Sequence, residues 1–264
     1  MSVTGADGRS VFELFSLAGR VALITGGSRG LGESVALGLA QAGARTAICA
    51  RDAEACRSVA AALTAATGQA SIGLAMDVTD ETSVERAFAQ ASERFGQLDV
   101  LVNSAGINLR QPLDDCPPAT FRQVLETNLT GTWLCCRAAM RLMRPRRAGS
   151  IVNFSSALGA VGLAERTPYC SAKAGILGLT RAVALEGAAD NVRCNAICPG
   201  PFLTEMNRPL LAHPEKLQAL LGRTALNRWA ELHEIRGAVL FLASDASSYV
   251  TGSALFVDGG WTAQ

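Results

Sequence analysis

Short apolar runs alternate with longer segments of helical composition along most of the chain. The runs are apolar on both of their faces, which is typical of strands that are covered on both sides of a sheet. We predict strands at residues 21–25, 46–50, 72–76, 98–103, 151–154, 192–198 and 254–257. We predict helices at residues 33–42, 53–67, 81–95, 120–143 and 168–187, with Asp80 as the cap of the third.

This alternation predicts an α/β fold, with a Rossmann-like doubly wound parallel sheet of about seven strands and helices on both faces. We expect one domain at residues 17–264, preceded by an N-terminal extension at residues 1–16. Residues 199–221 break the pattern, because prolines interrupt amphipathic fragments there. We interpret residues 201–221 as a mobile flap whose apolar side chains partly line a pocket.

Composition narrows the class of protein. The 24 basic and 23 acidic residues nearly balance, which gives no electrostatic footprint for nucleic acid or an anionic membrane. The sequence offers neither the long apolar run of a membrane span nor the apolar core of a signal peptide. The 8 cysteines include no Cys-x2-Cys pair and there are 2 histidines, so we expect reduced thiols and no metal site. We therefore expect a cytoplasmic protein.

A glycine-rich segment, Thr25-Gly-Gly-Ser-Arg-Gly-Leu-Gly32, joins the first predicted strand to the first helix. Glycines let main-chain N–H groups approach a pyrophosphate closely, and the helix N-terminus adds partial positive charge. A glycine-rich turn that binds nothing is the alternative, which the strand-before, helix-after context disfavours. We predict that the dinucleotide-binding residues here are Thr25, Gly26, Ser28, Arg29, Gly30, Leu31 and Gly32.

Two arginines bear on the choice of dinucleotide. NAD enzymes usually place an acid at the end of the second strand to hold the ribose 2′-OH. Here that position is Ala50, followed by Arg51, while Arg29 lies inside the glycine-rich loop. Guanidinium groups suit a 2′-phosphate, so the sequence favours NADP, with NAD still possible. Two reservations stay open: Asp52 could neutralise Arg51, and each arginine could be an ordinary surface residue.

A second group of residues suits proton transfer. Tyr169 and Lys173 share one face of a predicted helix, so an ammonium could lie beneath a phenol. Together with an oxidised nicotinamide, Lys173 would lower the phenol's pKa from about 10, and Tyr169 could then donate or accept a proton. Ser156 could hold the substrate oxygen, with Ser155 as the alternative. Asn128 could bind a water that links Lys173 to solvent, or could make a structural hydrogen bond.

These motifs, in this order and spacing, resemble those of the short-chain dehydrogenases/reductases over residues 17–261. They are Thr25-Gly-x3-Gly-x-Gly32, Asp77, Asn103-x-Ala-Gly106, Asn128, Ser156, Tyr169-x3-Lys173 and Pro199-Gly200 with Thr204. The resemblance implies a catalytic tetrad of Asn128, Ser156, Tyr169 and Lys173. It also implies transfer of the pro-S hydride of the nicotinamide ring.

The resemblance also implies contacts with the cofactor beyond the glycine-rich loop. Asp77 and Val78 would flank the adenine, and Lys173 would bind the nicotinamide ribose. The remaining implied contacts come from two segments, Asn103, Ala105 and Gly106 in one and Pro199, Gly200, Phe202 and Thr204 in the other. Of these, Phe202 and Thr204 would contact the nicotinamide amide. Ser104 departs from the asparagine that is usual in the family, and we expect altered local bonding there without loss of activity.

Two segments bear on the substrate. Ile107-Asn-x-Arg110 with Pro112, and residues 204–209, are similar to the gluconate 5-dehydrogenase-like branch. Arg110 could bind a substrate carboxylate, or could form a surface or intersubunit ion pair. The 3-oxoacyl-carrier-protein reductases share the same motifs, so that activity and a broad carbonyl reductase remain alternatives.

We therefore predict an NADP(H)-dependent oxidoreductase that interconverts a secondary alcohol and a ketone, with a sugar acid as a candidate substrate. Two non-enzymatic hypotheses compete with it. A nucleotide-sensing module would be expected to lack Tyr169 or Lys173, and an interaction protein would leave the glycine-rich loop unexplained. The resemblance further implies a homotetramer, with the helix at residues 120–143 and the C-terminal strand at its interfaces.

Overall fold

A computed structural model describes residues 8–205, 207, 212 and 214–263. Its strands are β1 (Val21–Thr25), β2 (Arg45–Ala50), β3 (Ser71–Ala75), β4 (Val100–Asn103), β5 (Gly149–Phe154), β6 (Val192–Pro199) and β7 (Ala254–Val257). They form one parallel sheet in the order β3-β2-β1-β4-β5-β6-β7. The predicted doubly wound α/β fold is confirmed.

The strand order reverses between β1 and β4, and this reversal positions the site. In open α/β sheets, ligands bind beyond the carboxyl ends of the strands at such a switch point. The register sets Thr25, the last residue of β1, beside Asn103, the last residue of β4. Asn103 in turn lies beside Asn153 of β5. The polar residues that end these three strands therefore meet at one edge of the sheet.

Helices cover both faces of the sheet. They are α1 (Val11–Leu14), α2 (Gly30–Gln41), α3 (Ala53–Thr67), α4 (Glu81–Phe95), α5 (Pro118–Leu125), α6 (Gly131–Met143), α7 (Thr167–Ala188), α8 (Pro214–Leu221) and α9 (Arg236–Ala243). Phe88 of α4 and Met143 of α6 are buried in the core on one face, and Leu39 of α2 and Val239 of α9 in the core on the other. Burial of both faces explains why the strands lack an alternating polar pattern.

The helix predicted at residues 120–143 is interrupted in the structure. A π-helical turn, Glu126–Thr130, separates α5 from α6 and carries the buried Asn128. Gly131 follows the turn, and a Cβ added there would lie 2.8 Å from Cγ2 of Val78. The chain thus approaches the loop after β3 closely at this point, a tertiary contact that helical periodicity does not reveal.

Part of the predicted N-terminal extension contacts the rest of the chain. Ser10 and Glu13 form a reciprocal cap around α1. Arg9 pairs with Asp245 at 2.7 Å, and the rings of Phe15 and Phe241 lie 6.4 Å apart. Residues 9–15 therefore pack beside α9 and the turn that follows it.

The described residues form neither a membrane span of helical type nor a cluster of metal-binding side chains. Among the helices that the structure describes, none is both long enough and apolar enough to cross a bilayer. Residues 8–205, 207, 212 and 214–263 contain no group of three or more His, Cys, Asp or Glu residues that could hold a metal ion. All the cysteines are free thiols.

Candidate active site

The glycine-rich loop between β1 and α2 packs tightly against itself. A Cβ added at Gly32 would collide with the main-chain oxygen of Gly26, and one added at Gly26 would lie 2.8 Å from the Cα of Ala105. Gly30, by contrast, has a φ of +59° and open space where a Cβ would point. Because α2 begins at Gly30, its first main-chain N–H groups lie beside that space. The loop at residues 25–32 therefore fits a pyrophosphate.

The two arginines predicted to meet a 2′-phosphate are both exposed. Arg29 precedes α2, and its Nη1 lies 3.5 Å from the carboxylate of Glu205. Arg51 follows β2, next to Asp52. The carboxylate of Asp52 accepts hydrogen bonds from two main-chain N–H groups in the first turn of α3. Asp52 therefore acts as a helix cap, and no ion pair joins it to Arg51 in the part of the chain that the structure describes.

Thr25 and Asn103 have buried side chains at the ends of their strands. The Oγ1 of Thr25 accepts hydrogen bonds from the N–H groups of Ser104 and Ala105, both at 3.1 Å. The hydroxyl of Thr25 thus supports the loop after β4, and the bond to residue 104 does not depend on its side chain. Asn103 donates from Nδ2 to Asn153 at 2.9 Å, while its buried Oδ1 has no hydrogen-bond partner among the described residues. That oxygen fits a donor from a bound molecule.

Asp77 and Val78 follow β3, where the resemblance places the adenine. The carboxylate of Asp77 accepts hydrogen bonds from the main-chain N–H of Thr79 at 2.9 Å and from its hydroxyl at 2.8 Å. These bonds hold the pKa of Asp77 below its usual value, and the positive charge of Arg51 adds to the effect. Arg51 is thus close enough to the loop after β3 to act electrostatically on Asp77.

Tyr169, Lys173 and Ser156 come together beyond the carboxyl ends of β5 and β6. The Nζ of Lys173 lies 5.5 Å from the ring centroid of Tyr169 and donates to the main-chain oxygen of Phe154 at 2.6 Å. The hydroxyl of Ser156 lies 3.5 Å from the main-chain oxygen of Pro199, and the same side chain acts on the pKa of the Tyr169 phenol. The residues that the sequence predicts for proton transfer are therefore neighbours.

Ser155 and Ser156 take different positions in this arrangement. The hydroxyl of Ser155 points into α7 and donates to the main-chain oxygen of Lys173 at 2.7 Å. The hydroxyl of Ser156 accepts from the N–H of Leu158 at 3.1 Å and meets Tyr169. Ser155 thus fastens α7 to the end of β5, and Ser156 is the serine beside the phenol.

Burial shifts the pKa values of both Tyr169 and Lys173. Burial raises the pKa of Tyr169 to about 12, and the hydrogen bond from Ser156 opposes this increase. Burial also lowers the pKa of Lys173 to about 8. In the chain alone, loss of hydration dominates at the phenol. The lowering of its pKa by Lys173 together with an oxidised nicotinamide stays a prediction.

The side chain of Asn128 is occupied by the main chain of the loop after β4. Its Oδ1 accepts from the N–H of Ile107 at 2.8 Å, and its Nδ2 donates to the oxygen of Ile107 at 2.9 Å. These are structural hydrogen bonds, which is one of the two roles that the sequence left open for Asn128. A Cβ added at Gly106 would lie 3.1 Å from Oδ1 of Asn128 and 3.8 Å from Nζ of Lys173. Asn128 therefore positions the strand-end loop directly beside Lys173.

In the segment after β6, the ring of Phe202 is 1% exposed and lies in the core. The contact of Phe202 with a nicotinamide amide stays a prediction, and it would have to come from the main chain. The main-chain oxygen of Phe202 accepts hydrogen bonds from Thr204 at 2.9 Å and from Asn207 at 3.0 Å. Gly200 is needed for close packing, since a Cβ there would lie 2.6 Å from the Cα of Asp258. Thr204 is partly exposed after this turn.

The predicted flap at residues 201–221 is described in part. Its last residues form α8, and Leu220 packs against the small cluster of Ala157, Leu158 and Trp261, against which Tyr169 also packs. This contact places α8 against the candidate site. Met206, Leu210 and Leu211, which the sequence places in the flap, lie outside the described residues.

Arg110 and Arg166 bring two positive charges to the region just before α7. The Nη2 of Arg110 donates to Oδ1 of Asn207 at 3.0 Å. Arg166 precedes α7 by one residue and is buried, and the charges of Tyr169 and Arg110 both act on its pKa. Sequence reasoning missed Arg166, although a charged residue three positions before the tyrosine was a usable signal.

The chain matches known proteins over nearly its full length. A family model described as enoyl-(acyl carrier protein) reductase matches residues 26–262. The chain is 43% identical over 251 residues to cis-4-hydroxycyclohexanecarboxylate dehydrogenase from Sinomonas cyclohexanicum, covering 94% of this chain and 98% of that protein.

Solved structures show the same similarity. A short-chain type dehydrogenase/reductase from Mycobacterium marinum is 36% identical, with a TM-score of 0.92 and coverage of 97% of this chain and 100% of that one. A gluconate 5-dehydrogenase from Burkholderia cenocepacia J2315, solved in complex with NADP and tartrate, is 36% identical with a TM-score of 0.93. That match also covers 97% of this chain and 100% of the other.

Proposed function

The chain belongs to the short-chain dehydrogenase/reductase family and is an NAD(P)-dependent oxidoreductase that acts on CH–OH groups, and from that premise we propose which residues carry the reaction. Tyr169 moves the proton, Ser156 holds the reacting oxygen, and Lys173 and Asn128 support them. The single observation that carries this proposal is the meeting of the Ser156 hydroxyl and the Lys173 ammonium at the ring of Tyr169.

In the direction of reduction, the substrate carbonyl oxygen lies between the hydroxyls of Ser156 and Tyr169. Residues 25–32 and 103–106 would hold NADPH, which would supply a hydride for the carbonyl carbon. Tyr169 donates its phenolic proton to the oxygen, which completes a secondary alcohol. The ammonium of Lys173 stabilises the phenolate that remains, and the reverse sequence oxidises the alcohol.

The cofactor is NADP in this proposal, with NAD as the weaker partner. Arg29 and Arg51 are both exposed beside the glycine-rich loop and the end of β2, and the carboxylate of Asp52 is occupied as a helix cap. Replacing Arg51 by Gln is expected to lower kcat/KM for NADPH by roughly 10- to 100-fold, the size of a lost charge-assisted bond. The value for NADH is expected to stay within about twofold. The exposed Arg57→Gln on α3 is the matched control, and an equal fall with both dinucleotides would contradict the assignment.

The substrate is a small hydroxy or keto acid, and a sugar acid is the candidate. Relatives support this: one is named for a hydroxycyclohexanecarboxylate and another for gluconate. Arg110, beside the site entrance, is the residue that the sequence offers for the carboxylate. The 3-oxoacyl-carrier-protein reductases among the relatives keep acyl thioesters as the second class to be tested.

A substrate screen tests the proposed function. Purified protein is mixed with NADPH or NADH and with keto acids, neutral cyclic ketones and acyl thioesters, and dinucleotide oxidation is followed by absorbance. We expect oxidation with keto acids, faster with NADPH than with NADH. Oxidation with none of the carbonyl compounds, while the protein remains folded and binds dinucleotide, would overturn the proposal.

We also propose a cytoplasmic homotetramer. Large apolar side chains are exposed on the elements that the sequence places at interfaces, namely Phe121 of α5, Trp133 of α6 and Phe256 of β7. Exposed aromatic residues are typical of surfaces that another chain covers. Light scattering is expected to give four times the chain mass, and a monomer mass at the working concentration would contradict this assembly.

A further inference from the structure

Arg166 has a buried guanidinium that the proposed proton transfer does not use. Its side chain is 9% exposed. Its Nη1 donates to the main-chain oxygen of Glu165 at 3.1 Å, and the carboxylate of the same residue lies 3.9 Å away. That carboxylate is itself 52% exposed. A guanidinium carries several N–H donors in a planar fork, so these contacts within the described chain satisfy a small part of it.

Arg110 brings a second guanidinium to the same place. The N–H of Gln111 donates to the main-chain oxygen of Glu165 at 3.2 Å, which ties the loop after β4 to the residue before Arg166. Burial lowers the pKa of Arg166, and the charge of Arg110 lowers it further. Burial also lowers the pKa of Arg110, and the carboxylate of Glu165 opposes this effect. The carboxylate of Glu165 acts on both guanidinium groups, and because one carboxylate faces two cations, a net positive charge remains that favours a further anion.

The position relative to Tyr169 shows what such an anion would be. Arg166 lies three residues before Tyr169 in the chain, and Tyr169 is among the groups whose charge acts on it. Arg110 lies on the loop that begins at Ala105 and Gly106, beside Lys173. Arg166 is the N-cap of α7 and Tyr169 is the third residue of the helix, so the two side chains leave the same first turn. An anion held by Arg166 would therefore lie beside the phenol.

We propose that Arg166, together with Arg110, binds the carboxylate of an anionic substrate whose reacting carbon lies at Tyr169. Arg166 is a substrate-binding residue in this account, because its planar fork matches the two oxygens of a carboxylate. The inference rests on the proposed function, since the carboxylate is placed relative to the phenol. It adds a specificity rule: neutral ketones of the same shape are poor substrates.

A matched pair of substrates tests this rule. Reduction of 4-oxocyclohexanecarboxylate is compared with that of its neutral primary amide, for the wild type, Arg166→Gln and Arg166→Lys. Arg166→Gln is expected to lower kcat/KM for the acid by roughly 10- to 100-fold and to change the value for the amide by less than about threefold. Arg166→Lys is expected to fall between them, because it keeps the charge and loses the fork. Arg181→Gln, which changes an exposed arginine on α7, is the control.

A binding measurement separates this inference from the proposed function. Calorimetry with the full chain, in the presence and in the absence of NADP, compares cyclohexanecarboxylate with cyclohexanecarboxamide. Selective loss of carboxylate binding in Arg166→Gln supports the inference even if no ketone is reduced, an outcome that would sink only the proposed function. If the wild type binds no carboxylate, or if Arg166→Gln binds it equally well, the inference is overturned. Should Arg166→Gln fail to fold, Arg110→Gln is expected to show the same selective loss, and its absence counts against the proposal.

Discussion

At the residue scale, the ammonium of Lys173 is held in a buried setting by a main-chain oxygen and an aromatic ring. It donates to Phe154 at 2.6 Å and lies 5.5 Å from the ring centroid of Tyr169. Burial lowers the pKa of Lys173 to about 8 and raises that of Tyr169 to about 12. Below pH 8 the pair is therefore an ammonium and a neutral phenol, which is the state required to reduce a ketone.

The rate of reduction should follow the charge of Lys173. We expect kcat/KM with NADPH to be level below about pH 8 and to fall about tenfold per pH unit above it, because the ammonium that stabilises the phenolate is lost. Tyr169 keeps its proton over this range, since its pKa is about 12. Steady-state rates from about pH 6 to about pH 10 measure the profile. A level profile to the alkaline end would show that the charge of Lys173 is not required.

The sequence identifies several of the site residues, but it does not determine all of their contacts. The spacing of Tyr169 and Lys173 fixes their common helical face, so their proximity was predictable. Ser155 and Ser156 are adjacent in the chain, and only the path of the turn after β5 determines which one meets the phenol. Asn128 was open between two roles, because its partner Ile107 is 21 residues away.

At the element scale, α7 carries both Tyr169 and Lys173. Two of its glycines, Gly178 and Gly187, differ in how closely other atoms approach them. A Cβ added at Gly187 would lie 2.6 Å from the main-chain oxygen of Val192, so α7 and β6 approach closely there. A Cβ added at Gly178 would meet nothing within 4 Å. Gly187 is therefore required by packing, and Gly178 is simply a weak helix former.

Two alanine substitutions in α7 should have opposite effects on stability. Gly178→Ala is expected to raise the free energy of unfolding by about 0.5–1 kcal/mol, because alanine loses less backbone entropy. Gly187→Ala is expected to lower it by about 1–3 kcal/mol, because main chain must move to accept the Cβ. Urea titrations of both variants and the wild type measure the difference. Equal destabilisation by the two substitutions would show that the space around Gly178 is not open.

Most strands and helices could be predicted closely, and each exception has its own cause. The strands β1 and β7 and the helix α3 have the bounds that the hydrophobic pattern predicts. The π-helical turn at Glu126–Thr130 was not predicted, because tertiary contacts of Asn128 and Gly131 determine it. The helices α8 and α9 were also missed, since prolines obscure the first and the second is a short apolar run.

At the scale of the whole molecule, the two cores contain many thiols. Burial raises the pKa of six of them, and the thiol of Cys136 reaches about 12. These six are Cys49, Cys56, Cys135, Cys136, Cys194 and Cys198. A buried thiol stays neutral in the folded chain at a pH where the same thiol is ionised in the unfolded chain.

Stability should therefore fall in alkali. An unfolded thiol with a pKa of about 9 releases its proton before the buried thiol does, so the folded chain binds more protons and the free energy of unfolding falls as pH rises above 9. Tyr169 acts in the same direction from about pH 10 to about pH 12, whereas Lys173 acts in the opposite direction between about pH 8 and about pH 10.5. The six thiols and Tyr169 outnumber the single lysine.

Cys135→Ala tests the thiol contribution. This variant should lose stability less steeply than the wild type as pH rises above 9, while the partly exposed Cys116→Ala should follow the wild type. The free energy of unfolding, measured by urea titration at several alkaline pH values under reducing conditions, gives the slopes. Identical slopes for the wild type and both variants would contradict the assignment.

At this scale the fold and the location of the site could be predicted from the sequence. The proposed carboxylate site at Arg166 and Arg110 could not. Parallel strands end at one edge, so motifs that follow β1, β4, β5 and β6 must lie near one another. Arg166 depends instead on how the loop before α7 meets the loop after β4, through the bond from Gln111 to Glu165. No local pattern encodes that contact.

Proton donation by Tyr169 is the claim on which the account of the reaction depends. The most direct test is Tyr169→Phe, which removes the hydroxyl and keeps the ring beside Lys173. We predict that NADPH binding, measured by fluorescence titration, stays within about threefold of the wild type, while turnover of a keto acid falls by about 10²- to 10⁴-fold. Turnover at the wild-type rate in a folded, NADPH-binding Tyr169→Phe protein would contradict the account.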